Sequence, residues 1–332
     1  MNTTDPPILD ALQQKGVLVS VHIRYWRGRK KLKAEDLGLV PSTINPNLIA
    51  LGQKRLVTKE ALQPFALIEG RAHTFVEGAS FPFLRLARFV PNERLRDVQE
   101  RLAALRFQFD AEVERFVASY AQIRAEALAQ WRLAAGDLGV DPTLLLRTIE
   151  DSFPLDVRPA FEFRWQLFQV TAPKEVSVAA FDLALNQEAR RARRKAAQEA
   201  QEEIRRSAES FVAESVAALR GETAKLCEEV MATIKAGPVN QKTLNRLDRF
   251  VAKFRALNFV NDEEMDRKLQ AFRSEFLDLG AKDYRENAAA RFQLVEGLSR
   301  LRSEASALAC QDASEMVQRF GELGRRKFGR AS

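Results

Sequence analysis

The chain has 332 residues, of which 46% are hydrophobic and 29% are charged, and its formal net charge is +7. This length and composition indicate a folded protein with two domains or one elongated domain. The sequence contains only 2 His and 2 Cys, which excludes most zinc sites, most His-based acid–base catalysis and any disulfide framework.

The N-terminal segment predicts a cytoplasmic protein. It has no basic start, long apolar core or small-residue cleavage site of the kind that marks a secretory signal. No stretch of the chain approaches the roughly 18 apolar residues of a membrane-spanning helix. We therefore expect no membrane association, and we expect Cys227 and Cys310 to be buried and reduced.

Residues 1–92 are predicted to form a small α+β region. Apolar and partly polar residues alternate from Val17 to Tyr25, which is typical of a strand with one buried face. Frequent Pro and Gly residues follow and favour turns and short elements. One helix is expected from about Lys59 to Glu77.

Residues 93–236 are predicted to form a long helical hairpin. Pro91, Asn92 and Glu93 suit the start of a helix, and large or apolar residues then recur every three or four positions to Trp131, as in a coiled coil. A second long helix is expected over 181–236, and it ends at Gly237 and Pro238. The alternating segment 161–170 predicts a strand in a small head at 137–180.

Residues 237–332 show shorter helical patterns with short connections, which favour an antiparallel helical bundle. The predicted fold is therefore mainly α. It consists of a long antiparallel coiled-coil stalk, a small N-terminal α+β region, a small strand-containing head and a C-terminal helical bundle. The long helices could pair within one chain or across a dimer, so an oligomer stays possible.

The motifs favour a protein that is not an enzyme and binds no cofactor or metal. The sequence has no phosphate-binding G-x-x-x-x-G-K-[ST] loop, no G-x-G-x-x-G after a strand and no H-E-x-x-H. A hydrolase that uses only carboxylates stays open, although nearly all Asp and Glu lie in helix-surface patterns mixed with Lys and Arg.

The strongest local signal is a basic segment with embedded aromatic residues and no acid. Its candidate binding residues are Arg24, Tyr25, Trp26, Arg27, Arg29, Lys30, Lys31 and Lys33. Cations of this kind neutralise phosphates, and aromatic rings stack on unpaired bases. The segment therefore predicts a surface for nucleic acid or for an acidic protein. The alternative is a solvated strand end and loop in which Trp26 packs on the stalk.

A second basic cluster lies in the second long helix. It consists of Arg190, Arg191, Arg193, Arg194 and Lys195. These charges spread around more than half of a helix, which favours a charged coiled-coil surface over a binding stripe. Further along, the spacing of Glu202 and Arg206 predicts an ion pair one turn apart.

A long helix, a small β-containing head and another long helix also outline an α-helical pore-forming protein, a minor alternative. Such heads need an apolar tongue that enters lipid. Here Glu162, Arg164 and Gln166 interrupt the candidate strand, and charges in hydrocarbon are costly.

The N-terminal residues also resemble a known family. The positions that carry this similarity are Tyr25, Trp26, Gly28 to Leu32, Glu35 to Gly38, Leu51, Gly52, Lys54, Leu56, Arg71 and Ala72, with the later Trp131. They are similar to an uncharacterised bacterial family, domain of unknown function 3150. The resemblance implies partnership with a MoxR-type AAA+ ATPase and a von Willebrand factor A-type protein in a phage, plasmid or defence context. It defines no catalytic residues.

Together, these observations predict a non-enzymatic scaffold or adaptor that binds a protein partner. The alternative is a nucleic-acid-binding protein of a mobile element that uses the basic segment 24–33. In either case the segment around Trp26 is the favoured contact, because Trp and Arg dominate interface hot spots.

Overall fold

The computed structural model is mainly helical with a small antiparallel sheet, as predicted. It describes residues 7–34, 36, 48, 51–84, 86–138, 142–171 and 187–325. Among the helices within these ranges, none is long and apolar enough to cross a membrane.

The elements follow one another in a defined order. The helices are α1 Pro7–Lys15, α2 Lys59–Gly78, α3 Asn92–Leu138, α4 Pro142–Glu150, α5 Gln187–Ala236, α6 Gln241–Leu257, α7 Glu263–Phe276, α8 Ala281–Glu286, α9 Ala288–Ala309 and α10 Ser314–Arg325. The strands are β1 Gly16–Arg24, β2 Arg29–Lys31, β3 Gln53–Arg55, β4 Phe81–Phe83, β5 Ala87–Pro91 and β6 Glu162–Phe168.

The chain divides into two compact units that are interleaved along the sequence. The first unit comprises Met1–Val19, Ala79–Arg96 and Leu167–Ser332, and the second comprises Ser20–Gly78 and Asp97–Gln166. The division predicted from the sequence, into three consecutive regions, stays a prediction beside these two units. Both β1 and α3 contribute residues to each of them.

The alternating patterns predicted both longer strands correctly. In the first unit, the start of β1 pairs antiparallel with β5, so that Gly16 lies opposite Pro91, and β5 pairs antiparallel with β4. Within the first unit the strand order is β4-β5-β1. The segment 161–170, predicted as a strand, contains β6.

The two long helices are present, but their pairing as a coiled-coil stalk is not confirmed. Most of α3 belongs to the second unit, and the described part of the second predicted helix, α5, belongs to the first. Within the first unit, α5 packs lengthwise on α9, and α1 packs on α10. Residues 181–186, which the sequence analysis assigned to the second long helix, lie outside the described residues.

The C-terminal helices begin at side-chain caps. Asn240 Oδ1 accepts a hydrogen bond from the Thr243 amide at the start of α6, and the Asp262 carboxylate accepts one from the Met265 amide at the start of α7. The sequence pattern predicted both of these helices as well as α9 and α10. It did not predict α8, because six residues are too few to show helical periodicity.

A buried ion pair ties this helical region together. Arg220 on α5 donates from Nε to Asp262 Oδ2 over 2.6 Å and from Nη1 to the Leu308 carbonyl over 2.7 Å. Both charged side chains are 5% exposed. The pair therefore links α5 to the start of α7 and to the end of α9.

Candidate partner-binding surface

The basic segment that follows β1 lies in the second unit, where its residues separate into three groups. The aromatic side chains are packed inside, Arg24 and Arg27 contact other parts of the unit, and the remaining cations are exposed. Arg24 and Arg27 are exposed as well, but only in the last group do the side chains form no hydrogen bond or ion pair with another described residue.

Tyr25 and Trp26 belong to the core of the second unit. Tyr25 is 7% exposed and stacks on Phe65 at 5.7 Å between ring centroids. Trp26 is half-buried, and its ring lies 6.2 Å from Phe116 and 5.8 Å from Tyr120, both on α3. These rings contribute packing energy, and in this structure they are not platforms on which a base can stack.

Arg24 and Arg27 are held by contacts within the unit. Arg24 Nη2 donates to the Pro159 carbonyl over 2.9 Å. Arg27 lies over the Tyr25 ring and donates to both carboxylate oxygens of Glu69 over 2.8 and 3.2 Å. The hydrogen bonds to Glu69 raise the pKa of Arg27 above its ordinary value. A partner would have to displace these contacts to use either arginine.

The exposed cations lie on a two-stranded sheet formed by β2 and β3. The strands are antiparallel, with Arg29 opposite Arg55, Lys30 opposite Lys54 and Lys31 opposite Gln53. Residues directly opposite in such a pair point to the same side, and neighbours along a strand point to opposite sides. Arg29, Lys31 and Arg55 therefore share one side, which we call the cationic face, and all three are exposed.

The cationic face has no internal neutralising carboxylate. None of its three side chains forms an ion pair or hydrogen bond with another described residue. Arg29 and Arg55 have Cα atoms only about 5 Å apart in such a register, and like charges directly opposite each other destabilise a sheet. An anionic ligand would relieve this repulsion.

A buried ion pair on the opposite side of the sheet fixes the position of the cationic face. Lys54 Nζ donates to Asp36 Oδ1 over 2.7 Å, and the two side chains are 3% and 0% exposed. The other carboxylate oxygen of Asp36 accepts a hydrogen bond from the Lys33 amide over 2.8 Å. The side chains of Lys30 and Lys33 are also exposed, and Lys30, opposite Lys54, points to the side of the sheet away from the cationic face.

Two glycines with positive φ stand at the ends of this sheet. Gly28 has φ of +57° and its carbonyl accepts from the Leu56 amide, and Gly52 has φ of +79° and its carbonyl accepts from the Leu32 amide. A Cβ on Gly28 would lie 2.7 Å from Cγ2 of Val57, whereas a Cβ on Gly52 would meet nothing within 4 Å. Only Gly28 thus combines a special backbone conformation with close packing.

Gly28→Ala is expected to lower the free energy of unfolding of the second unit by about 2–4 kcal/mol, from left-handed backbone strain and overpacking together. Gly52→Ala is the matched control. Only the left-handed backbone strain applies there, so the expected loss of free energy of unfolding is about 1–2 kcal/mol. Urea titration followed by Trp fluorescence measures both values, because all 3 Trp lie in this unit. Equal losses in the two variants would show that Val57 moves aside without cost.

The second predicted basic cluster lies near the start of α5. Arg191, Arg194 and Lys195 are exposed there; the side chains of Arg190 and Arg193 lie outside what the structure describes. Lys195 Nζ approaches Glu199 Oε1 at 3.7 Å. The cluster is thus partly balanced on its own helix.

The ion pair predicted between Glu202 and Arg206, which lie one turn apart on α5, is confirmed. Arg206 Nε donates to Glu202 Oε1 over 2.9 Å, and Arg205 donates to the same carboxylate. The hydrogen bonds from Arg205 and Arg206 lower the pKa of Glu202 to about 2. This one carboxylate accepts from both arginines, and Arg205 pairs with Glu209 as well.

Other reactive groups are dispersed. Across the described ranges, no group of three or more His, Cys, Asp or Glu side chains converges as a metal site would require. Cys227 is buried, and this burial raises the pKa of its thiol to about 12. Cys310 is exposed, contrary to the expectation that both cysteines are buried, because it caps the end of α9.

Sequence reasoning missed Arg55 as a member of the candidate surface. It lies 26 residues after Arg29, and β3 is too short for its own pattern to predict a strand. The available signal was the pair of glycines at positions 28 and 52, each next to a short basic run. Such spacing is compatible with two strands that pair.

Comparison with known proteins gives one match. The family model described as "Protein of unknown function (DUF3150)" matches residues 13–276, which is most of the chain. No curated protein and no solved structure shows significant similarity to the chain.

Proposed function

For this chain, which belongs to the DUF3150 family of proteins of unknown function, we propose the role of a non-enzymatic adaptor that captures an acidic surface of a protein partner. The contact is the cationic face, and the exposed side chains of Lys30 and Lys33 add positive charge to the same segment. The observation that carries the proposal is the grouping of three exposed cations without a carboxylate between them.

The physical basis of capture is electrostatic complementarity. A patch of one charge sign accelerates the approach of an oppositely charged partner and fixes its orientation. The patch is also preorganised, because the buried pair of Lys54 and Asp36 and the backbone ladder hold both strands. Little ordering entropy is then lost when the partner binds.

The partners proposed for this adaptor are a MoxR-type AAA+ ATPase and a von Willebrand factor A-type protein, acting in the cytoplasm on a phage, plasmid or defence process. These partners are proposed on the family resemblance alone. Family membership by itself is not a physical argument about function. The long helices α3 and α5 would serve as rigid spacers, and a coiled-coil stalk between them stays a prediction.

Charge reversal on the cationic face tests the proposal. Arg29→Glu with Lys31→Glu is expected to reduce partner recovery at least about tenfold, because both charges become repulsive toward an acidic surface. The measurement is affinity purification of the tagged full chain from its native host, with retained proteins quantified by mass spectrometry.

The matched control is Arg101→Glu with Arg106→Glu. These residues are exposed on α3 in the same unit, and the variant changes the net charge by the same amount. It is expected to retain the partner, and the loss of the exposed pair of Arg106 and Asp110 should change the free energy of unfolding by less than about 1 kcal/mol. Unchanged recovery with Arg29→Glu and Lys31→Glu would remove the cationic face from consideration.

Nucleic acid is the second candidate ligand, and the same exposed cations favour it. Since Tyr25 and Trp26 pack against other rings of the unit, they are not available to stack on bases, and this segment would contact the phosphates. If the three cations of the face each neutralise one phosphate, the logarithm of the affinity should fall with a slope of about −3 against the logarithm of the salt concentration. Gel-shift titrations at two salt concentrations measure this slope, and no shift at micromolar protein excludes this ligand.

A further inference from the structure

A groove begins at Arg55, where the cationic face ends. It has a volume of about 450 Å³ and lies between residues 55–60 and the last turns of α3, within the second unit. Arg55 belongs to both features, since its side chain is on the cationic face and the residue also lines the groove. The two surfaces are therefore continuous.

Trp131 forms one wall of the groove and is held in a fixed orientation. Its indole Nε1 donates to the Arg55 carbonyl over 2.8 Å. The ring is half-buried, and it has no aromatic ring contact among the described residues. Trp26 and Trp165, in contrast, each pack against other rings. Trp131 thus leaves part of its ring surface exposed beside the groove.

The floor of the groove is apolar and its rim is charged. Leu56, Val57 and Ala127 are buried beneath it, and Ala134 contributes only a methyl group, which leaves space for a side chain. Lys59 stands at the rim and forms no ion pair with a described residue. Among the residues that line the groove, Glu60 is the acidic one.

We propose that this groove binds an apolar side chain of an acidic peptide segment, whose carboxylates contact Arg55, Lys59 and the cationic face. This inference rests on the proposed function and names the chemistry of the partner. Charge complementarity selects the acidic flanks, and the Trp131 wall with its alanine-lined floor selects the apolar anchor.

A single strand of nucleic acid fits the groove less well. Binding of such strands relies on several aromatic platforms in a groove of uniformly positive charge. Here one ring is available, and Glu60 lines the groove with the cations. A peptide needs only one anchor, which matches the volume of the groove.

The test uses the full chain and three fluorescent probes, with binding followed by fluorescence anisotropy. The first is a short peptide of Asp and Glu with one central Phe, the second has Ser in place of that Phe, and the third is an oligothymidylate of equal charge. The Phe peptide is expected to bind at least about tenfold more tightly than the Ser peptide, since only Phe buries apolar surface.

Two variants separate the groove from the cationic face. Ala134→Tyr fills the groove and is expected to lower the affinity for the Phe peptide to that for the Ser peptide. The affinity for the Ser peptide should stay unchanged. Ala129→Tyr is the control, because Ala129 is exposed on the same helix but does not line the groove. It should leave both affinities as in the original chain, and both variants should unfold at similar urea concentrations.

Each other outcome has a defined meaning. Equal binding of the two peptides overturns the groove inference and leaves capture by the cationic face in place. Failure of both peptides to bind contradicts the acidic-partner proposal and the groove inference together. If the oligothymidylate binds more tightly than the peptides and Ala134→Tyr abolishes that binding, the ligand of the groove is single-stranded nucleic acid and not a peptide.

Discussion

Arg220→Met is expected to lower the free energy of unfolding by about 3–5 kcal/mol, because it leaves a buried carboxylate without its countercharge. Asp262 is 5% exposed and receives the Arg220 Nε hydrogen bond. The Leu308 carbonyl loses its Arg220 hydrogen bond in the same variant. Met has a similar length and fills much of the space, so the loss reports the missing charge and hydrogen bonds rather than a large cavity.

An exposed arginine gives the matched control for this measurement. Arg246 pairs with Glu229 on the surface, and its side chain is 50% exposed. Arg246→Met should change the free energy of unfolding by less than about 1 kcal/mol, the usual range for a solvated pair. Urea titration followed by far-ultraviolet circular dichroism compares the two variants. Similar small losses in both would show that water or another donor satisfies Asp262.

The elements that sequence analysis located correctly are those with a local physical signal. The alternation from Val17 to Tyr25 predicted β1, and the three–four spacing predicted the long run of α3. Each of these signals lies within the segment that forms the element.

The elements and contacts that it missed depend on residues far apart in the chain. A hydrophobic seam shows that a helix needs an apolar partner but does not identify that partner. The stripe on α5 was expected to pack on α3, which is not confirmed, and the packing of α5 on α9 within its unit was not identified from the sequence. Nothing local to either helix distinguishes these choices.

The candidate site shows the same division between local and distant information. The basic run was visible in the sequence, and so was its charge. The burial of Trp26 was not, because it depends on rings at positions 116, 120 and 153. The role of Arg55 was also hidden, since it arises only when β3 pairs with β2. The candidate site therefore retains the exposed cations predicted from the sequence, excludes the aromatic rings and includes Arg55 in addition.

Lys54→Met is expected to destabilise the second unit by about 3–5 kcal/mol and to weaken partner capture as well. The substitution leaves Asp36, which is 0% exposed, without the ammonium group that neutralises it. Because Lys54 lies between Gln53 and Arg55 on β3, movement of this strand displaces Arg55 from its place opposite Arg29. Trp fluorescence in urea measures the first effect, and affinity purification measures the second.

The double variant Lys54→Met with Asp36→Leu separates stability from recognition. Replacing both members of a buried pair by apolar groups is often neutral, so we expect it to recover at least about 2 kcal/mol despite the lost hydrogen bond from the Lys33 amide. Partner capture should return with it, because the cationic face needs the geometry of the sheet and not the buried charge. A double variant that folds stably but still fails to capture the partner would show that Lys54 or Asp36 takes part in recognition directly.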